Sequence, residues 1–355
     1  MTQPNTAPAQ RPTQEIGGQD VVLVYADVQA EYEALRHHAI VVDRSHRGRM
    51  TLFGPRSGEA LTGLVTSDVL SLQPGHGQYA AALSAKGRII ADLRIFATRD
   101  GFLVDTPARA WSNWSGMVKK YVNPRLSGYR DDSHALRDLG IFGADAVRVV
   151  STVGGVPQET LAALAPYAHL TVSIDDVAVT IARAPDIGLD GFDLFVPLAA
   201  FEGVWQRAVA AGATPAGLEA WEIARVEAGR PEWGIDMDDT TIPQEANFEE
   251  LNAISFTKGC YIGQEVVARV HFRGHVNRHL RGIRAASTDA PPTGAQLIDE
   301  GGTHVGDVRS AVASPRLGGI ALAMIRREVA PGASLTAKWE SGERHVDVAA
   351  LPFPA

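Results

Sequence analysis

KGCYIGQEVVARVHFRG, residues 258–274, bears on both the fold and the chemistry of this chain. It contains Cys260, the one cysteine present, with the cation Lys258 two residues before it. Gly259 and Gly263 permit close backbone approach, and Val266, Val267 and Val270 then recur at helical spacing. A thiol ahead of a helix N-terminus and beside an ammonium is drawn toward thiolate, because both favour negative charge. Cys260 reads equally as a small buried hydrophobe, and the local sequence leaves both readings open.

Working outward, Arg230 to Ala253 is rich in Asp, Glu, Pro and Thr, and a connection of that length is usually functional. Beyond Arg278 the chain turns to short alternating runs punctuated by Pro291-Pro292, Gly301-Gly302 and Gly318-Gly319, which predicts a small β-barrel domain over residues 276–355. Upstream, helical spacing over 27–39 gives way to strands at 49–53, 78–83, 88–98 and 102–105. The helix predicted over 108–122 carries Trp111, Trp114, Val118 and Tyr121, with Pro124 as its stop. A second hairpin over 177–196 precedes helices at 198–211 and 217–229. Hairpins and helices without regular strand-helix alternation predict an α+β fold, with residues 18–275 forming two interleaved α+β domains. Residues 1–17, rich in Pro, Thr and Gln, read as a disordered tail with no apolar core of a signal peptide.

Composition excludes several classes of function. Lys plus Arg is 33 against 41 for Asp plus Glu, a net charge of -8, so no basic field holds a phosphate backbone and stable nucleic-acid binding is not expected. No run of apolar residues is long enough to span a membrane. A lone thiol fits a reducing cytoplasm, and a monomer is expected. One cysteine supplies one of the four thiolates that an iron-sulfur cluster usually takes, so any cluster contact is shared or transient. His271, His275 and His279 recur every four residues. Gly274 interrupts that face, however, and Arg273, Arg278 and Arg281 repel a cation, so no metal site is predicted and the stretch suits an anionic ligand tail. Asp236, Asp238, Asp239 and Glu245 lack the glycine and final carboxylate of a calcium loop.

Residues 258–274 resemble the signature of the YgfZ family, folate-binding proteins implicated in iron-sulfur cluster assembly or repair. RVEAGRPEWGIDMDDTTIPQEANF (225–248) resembles the glycine cleavage T-protein, the aminomethyltransferase that works on tetrahydrofolate. VDRSHRGRMTLFGP (42–55) and GQYAAALSAKGRIIADLRIF (77–96) are similar to its N-terminal motifs. The resemblance implies three domains around a central tetrahydrofolate site, with the barrel alongside. GRIIADL (87–93) matches the GGxIDDL-type segment that carries the T-protein's catalytic aspartate, and Ala91 takes the place of the first aspartate. Asp92, its neighbour on a strand, is then expected to face the other way.

Glu227, in RVEAG, matches a glutamate that binds the pterin, although a salt bridge to Arg225 or Arg230 accounts for it as well. Tyr79, Asp92 and Arg225 complete the folate-contact candidates. The function expected from this resemblance is a tetrahydrofolate-binding accessory protein for iron-sulfur assembly or repair. It would act through the Cys260 thiol, supported by Lys258, Gly259, Tyr261, Gly263, Gln264 and Glu265. Its partners would be iron-sulfur client or assembly proteins, and any link to tRNA modification would be indirect. The alternative is a folate-dependent aminomethyltransferase or another one-carbon transferase or demethylase.

Overall fold

The computed structural model describes residues 11–354. Two sheets lie face to face with helices on their outer sides. The first has five antiparallel strands in the order Gly77–Leu83, Ile89–Ala97, Gly101–Thr106, Gly48–Phe53 and Gly128–Asp131. The second has six, His169–Ile174, Val177–Arg183, Gly191–Pro197, Leu136–Phe142, Ile40–Asp43 and Thr214–Pro215, with only the last pair parallel. The sheets are interleaved in sequence. Ile40–Asp43 belongs to the second, the chain then builds the whole of the first, and it returns at Leu136.

Strand parity sets the layers. On Ile89–Ala97 the odd positions Ala91, Leu93, Ile95 and Ala97 enter the apolar layer beneath the helix Trp111–Tyr121. That helix buries Trp114, Met117 and Val118 at i, i+3 and i+4. The even position Phe96 instead meets Phe195 of the other sheet edge to face, ring centres 5.3 Å apart. Ala146–Gly154 and Phe201–Ala210 cover the far side of the six-stranded sheet.

The C-terminal strands close into a six-stranded barrel, from Arg278–Ala285 round to Gly342–Ala349, with Ile283, Leu297, Ala323 and Leu335 inside. Closure leaves no unpaired sheet edge. The barrel's outer face packs Leu280, Ile320, Leu322 and Met324 against Val226 of the helix Leu218–Glu227. The tail expected over 1–17 needs correction where it is described. Thr13–Ile16 pairs with Gln19–Val22 as a hairpin, and Ile16 and Val21 are buried. Residues 1–10 lie outside the described residues.

Between the sheets the apolar layer gives way to ions. Arg94, on the inward face of its strand, donates from Nε to Asp105 at 2.8 Å, and its Nη atoms reach Asp138 and Asp186 at 3.2 Å and also Asp193. Asp105 belongs to the same sheet, whereas Asp138 and Asp193 belong to the other. Arg44 binds Asp193 at 2.9 Å and Arg47 binds Asp105 at 2.7 Å. The Asp105 carboxyl is held down to about 2: burial opposes ionisation, but Arg47 and Arg94 outweigh it. Replacing Arg94 by Met should strip Asp138 of its ion pair, leave Asp105, Asp186 and Asp193 with one cation fewer, and cost about 3–5 kcal/mol in urea unfolding. An Arg94→Met protein as stable as the wild type would show that the arginine does not weld the sheets.

Candidate active site

Asp92 lies on the same inward face as Arg94, two residues along the strand, and is buried. Its Oδ2 accepts from the Tyr79 hydroxyl at 2.9 Å and its Oδ1 from the Trp233 backbone N–H at 3.2 Å. Burial raises the Asp92 carboxyl above its ordinary range, and Arg47, Tyr79 and the Trp233 amide pull it back only in part. The result is a carboxyl that holds its proton more tightly than an exposed aspartate, with the Arg47 cation opposing that shift. Ala91 points away into the apolar layer and has no access to this pocket. The inference drawn from Ala91 therefore fails on geometry: the side chain presented to the pocket is Asp92.

Tyr79, Asp92, Arg94, Asp186, Arg230 and Glu232 surround this inner pocket, together with Arg44, Arg47, Trp221 and Arg225. Arg44, Arg47, Trp221 and Glu232 also line a much larger cavity of about 510 Å³. One wall comes from the N-terminal hairpin (Gln14, Ile16), one from the helix (Trp221, Glu222) and one from the barrel strand His304–Ser314 (Ser310, Val312). His46 lines it as well, its buried Nδ1 has no partner, and burial followed by Arg47 and Arg44 lowers its proton affinity to about 3. It is thus a neutral imidazole in a cavity wall.

Glu232 was not singled out by the sequence. It bridges the two pockets, meets Arg109 at 3.2 Å and lies 3.9 Å from Arg47. Burial, with Glu222 adding to it, pushes its carboxyl up to about 7. The available signal was the acid in RPEWG, inside the stretch 225–248 that resembles the T-protein. Arg47 and Asp186 were also missed, since neither stands out until the fold joins the loops.

Glu227 does not face either pocket. It is buried between the helix and the barrel, accepting from Tyr32 Oη at 2.7 Å, from Ser314 and from Arg316 at 3.3 Å. Neither Arg225 nor Arg230 is its partner, so both sequence readings of Glu227 need correction: it ties Leu218–Glu227 to Val28–His37 and to the barrel. Arg225 lines the inner pocket, but its donors are committed to Glu222 at 2.8 Å, Asp236 at 2.8 Å and Ser310 at 2.7 Å.

The segment around Cys260 lies elsewhere on the molecule and lines neither pocket. Cys260 is exposed and lies in a loop three residues before Gly263, the N-cap of Gln264–Arg273, so the first helical turn does not hold the thiol. Lys258 serves as a pin. Its Nζ donates to the carbonyls of Thr62, Val65 and Ser67 at 2.6, 2.7 and 2.9 Å, over the ring of the buried Tyr261. Gly263 has φ of +84°, and a Cβ there would meet Ser84 O at 2.7 Å, whereas Gly259 has open space around it. Gln264 opens the helix and Glu265 pairs with Arg269 on its exposed side. The three histidines do not share a face. His271 stacks on Phe256 and meets Glu249 at 3.1 Å, His275 follows the helix and His279 begins the barrel. Among the described residues no three of His, Cys, Asp and Glu come together as a metal site.

The profile of the GCVT N-terminal domain matches residues 12–256, and that of the glycine cleavage T-protein C-terminal barrel domain matches 278–354. A protein of Nostoc sp. named aminomethyltransferase is 31% identical over 322 residues, covering 88% of this chain and 84% of its own. An aminomethyltransferase of Rubrobacter xylanophilus is 30% identical over 342 residues, covering 96% and 89%. The crystal structure of the glycine cleavage system aminomethyltransferase T from Bartonella henselae superposes with a TM-score of 0.86 over 97% of this chain and 94% of that one, at 20% identity, a likeness of fold. These relatives overturn the expected role as an iron-sulfur accessory protein, and with Asp92 in the pocket the reason for preferring that role disappears.

Two outcomes follow from this geometry. Because the folded Glu232 carboxyl binds its proton more tightly than the ordinary value of 4.5, its contribution to stability is complete below that pH and is lost as pH rises through about 7. The stability difference between wild type and Glu232→Gln, followed by thermal unfolding across that window, should move accordingly, and a flat difference would refute it. Lys258→Met should cost about 1–3 kcal/mol through three carbonyls left without a donor. Labelling of Cys260 by a thiol reagent should not be slowed, as it would be if the ammonium activated the sulfur.

Proposed function

Because the chain belongs to the glycine cleavage T-protein family, we propose that it is a tetrahydrofolate-dependent one-carbon transferase of the aminomethyltransferase kind. The observation that carries this reading is the placement of Asp92, a buried carboxyl bonded to Tyr79 and facing a polar pocket that adjoins a cavity of ligand size. The residues present suit the group. Tyr79 has a flat face toward the inner pocket, covered in this structure by Arg230, Asp92 and Asp186 can accept hydrogen bonds from a ring edge, and Arg44, Arg47 and Arg109 line the way for carboxylates of the folate tail. When bound, tetrahydrofolate supplies the secondary amine that takes up the one-carbon unit.

This chain's own residues supply the proton handling and the exclusion of water. Asp92 receives or returns a proton at Oδ1 or Oδ2, because burial narrows the gap between its charged and neutral forms while the Arg47 cation stabilises the charged one. Tyr79 orients that carboxyl, and the Trp233 N–H fixes its second oxygen. The hairpin Thr13–Ile16 and Gln19–Val22 helps wall the larger cavity. Residues 257–277, which hold the stretch that resembles YgfZ, fall between the two matched stretches, and the proposed activity does not rest on them.

The test is turnover. Purified protein given tetrahydrofolate and an aminomethyl or methyl donor should form the one-carbon folate at an enzymatic rate. Asp92→Asn should lower that rate by about 10²–10⁴ while folate affinity changes little. Full activity in Asp92→Asn would remove Asp92 from the chemistry, and no turnover with any such donor would sink the reading.

A further inference from the structure

The inner pocket is occupied by the protein itself. The Arg230 guanidinium lies 4.0 Å from the centre of the Tyr79 ring and 6.0 Å from that of Tyr167. Those two rings are nearly parallel, 10° apart, with centres separated by 6.3 Å. The guanidinium donates to the Tyr167 hydroxyl and stands 3.7 Å from Asp186. What it leaves open is about 20 Å³, room for about one water and far too little for a ring. No ring can lie against Tyr79 until this side chain leaves.

We infer that Arg230 is an internal stand-in for the ligand's ring, and that it selects for planar heterocycles with a guanidine-like edge, which alone can take over both its stacking and its carboxylate contacts. This rests on the folate reading, since the aminopyrimidinone edge of a pterin has that chemistry. A guanidinium is flat, presents a face to an aromatic ring and directs its N–H groups outward in one plane. A displacing ring must therefore cover Tyr79 with its face and donate toward Asp186 with its edge. A ring lacking those donors would leave Asp186 with Arg94 and Tyr167 but without the charged neighbour that Arg230 supplies.

The backbone favours a swing of the side chain over movement of the loop. Gly229 holds φ of +66°, the Arg230 N–H is bonded to Arg225 O at 3.1 Å, and Pro231 follows. The displaced guanidinium would need a second seat in the same wall, shared with the arginines already there: Arg109 on Glu232 and Arg225 on Glu222. Glu232 lines both pockets and Glu222 lines the larger one, so two carboxylates flank the exit. Binding then costs the free energy of moving Arg230 from the first seat to the second, and apparent affinity is reduced by the fraction of molecules in which the pocket is closed.

The experiment compares binding of 5-formyltetrahydrofolate to wild type, Arg230→Ala and Arg230→Lys by titration calorimetry. Arg230→Ala should bind about tenfold tighter, since it has no occupant to displace. Methylguanidinium, but not an equal concentration of sodium chloride, should compete with folate in Arg230→Ala and have little effect on the wild type. Arg230→Lys, which keeps the charge without the plane, should not return affinity to the wild-type level. Equal or weaker folate binding by Arg230→Ala overturns the inference, because Arg230 is then a bystander or a direct ligand contact. If neither wild type nor Arg230→Ala binds folate, the folate reading falls; a rise in the melting temperature of Arg230→Ala with methylguanidinium still upholds the internal seat, and no rise overturns that too.

Discussion

The structure depends on Arg94. Its guanidinium is the place where two separately hydrogen-bonded sheets meet through charge, with Asp105 on its own side and Asp138 and Asp193 on the other. Buried ions of this kind contribute little net stability compared with an apolar filling, but they tolerate only one arrangement. A slip of Ile89–Ala97 by one residue would send Arg94 into the apolar layer beneath Trp114 and bring Leu93 among the aspartates. Asp92 shares that strand and that face. The constraint that fixes the sheet register therefore also fixes which carboxyl reaches the pocket, and the site inherits its precision from the ion cluster behind it.

Much of the frame was legible. The alternating runs around 78–105 and the turn-punctuated segments after 278 gave the hairpins and the barrel, because period-2 patterning and Gly or Pro turns are local signals. Leu136–Phe142 was not, although it is a central strand. LRDLGIF mixes Arg137 and Asp138 into an apolar run, and only the presence of Arg94 opposite makes a buried aspartate there reasonable. The first residues of the hairpin were hidden for a similar reason. Thr13–Ile16 carries one buried position, Ile16, and its burial is supplied by distant parts of the fold.

The site was half legible. Strand parity correctly separates Ala91 from Asp92, but parity does not say which face is functional, and the sequence contains nothing that does. Glu227 illustrates the converse. A carboxylate at a helix end beside two arginines suggests either a ligand contact or a local pair, yet its partners are Tyr32, Ser314 and Arg316, all remote in sequence. Lys258 beside Cys260 suggests electrostatic activation; three backbone carbonyls from another segment use every donor the ammonium has. In each case proximity along the chain was mistaken for proximity in space.

The interleaving of the sheets has a consequence for the order of assembly on the ribosome. Every strand of the five-stranded sheet lies between Gly48 and Asp131, so that sheet can close while its partner is unmade, with Ile40–Asp43 waiting for Leu136–Phe142. During that interval its inward face is uncovered. Arg94 and Asp105 lie on that face and are paired across adjacent strands of the same sheet. The early half thus presents an ion pair among its apolar side chains, a poor surface for self-association while the rest of the chain emerges. The charges later buried as the weld between the sheets serve first as a guard on the half-built protein.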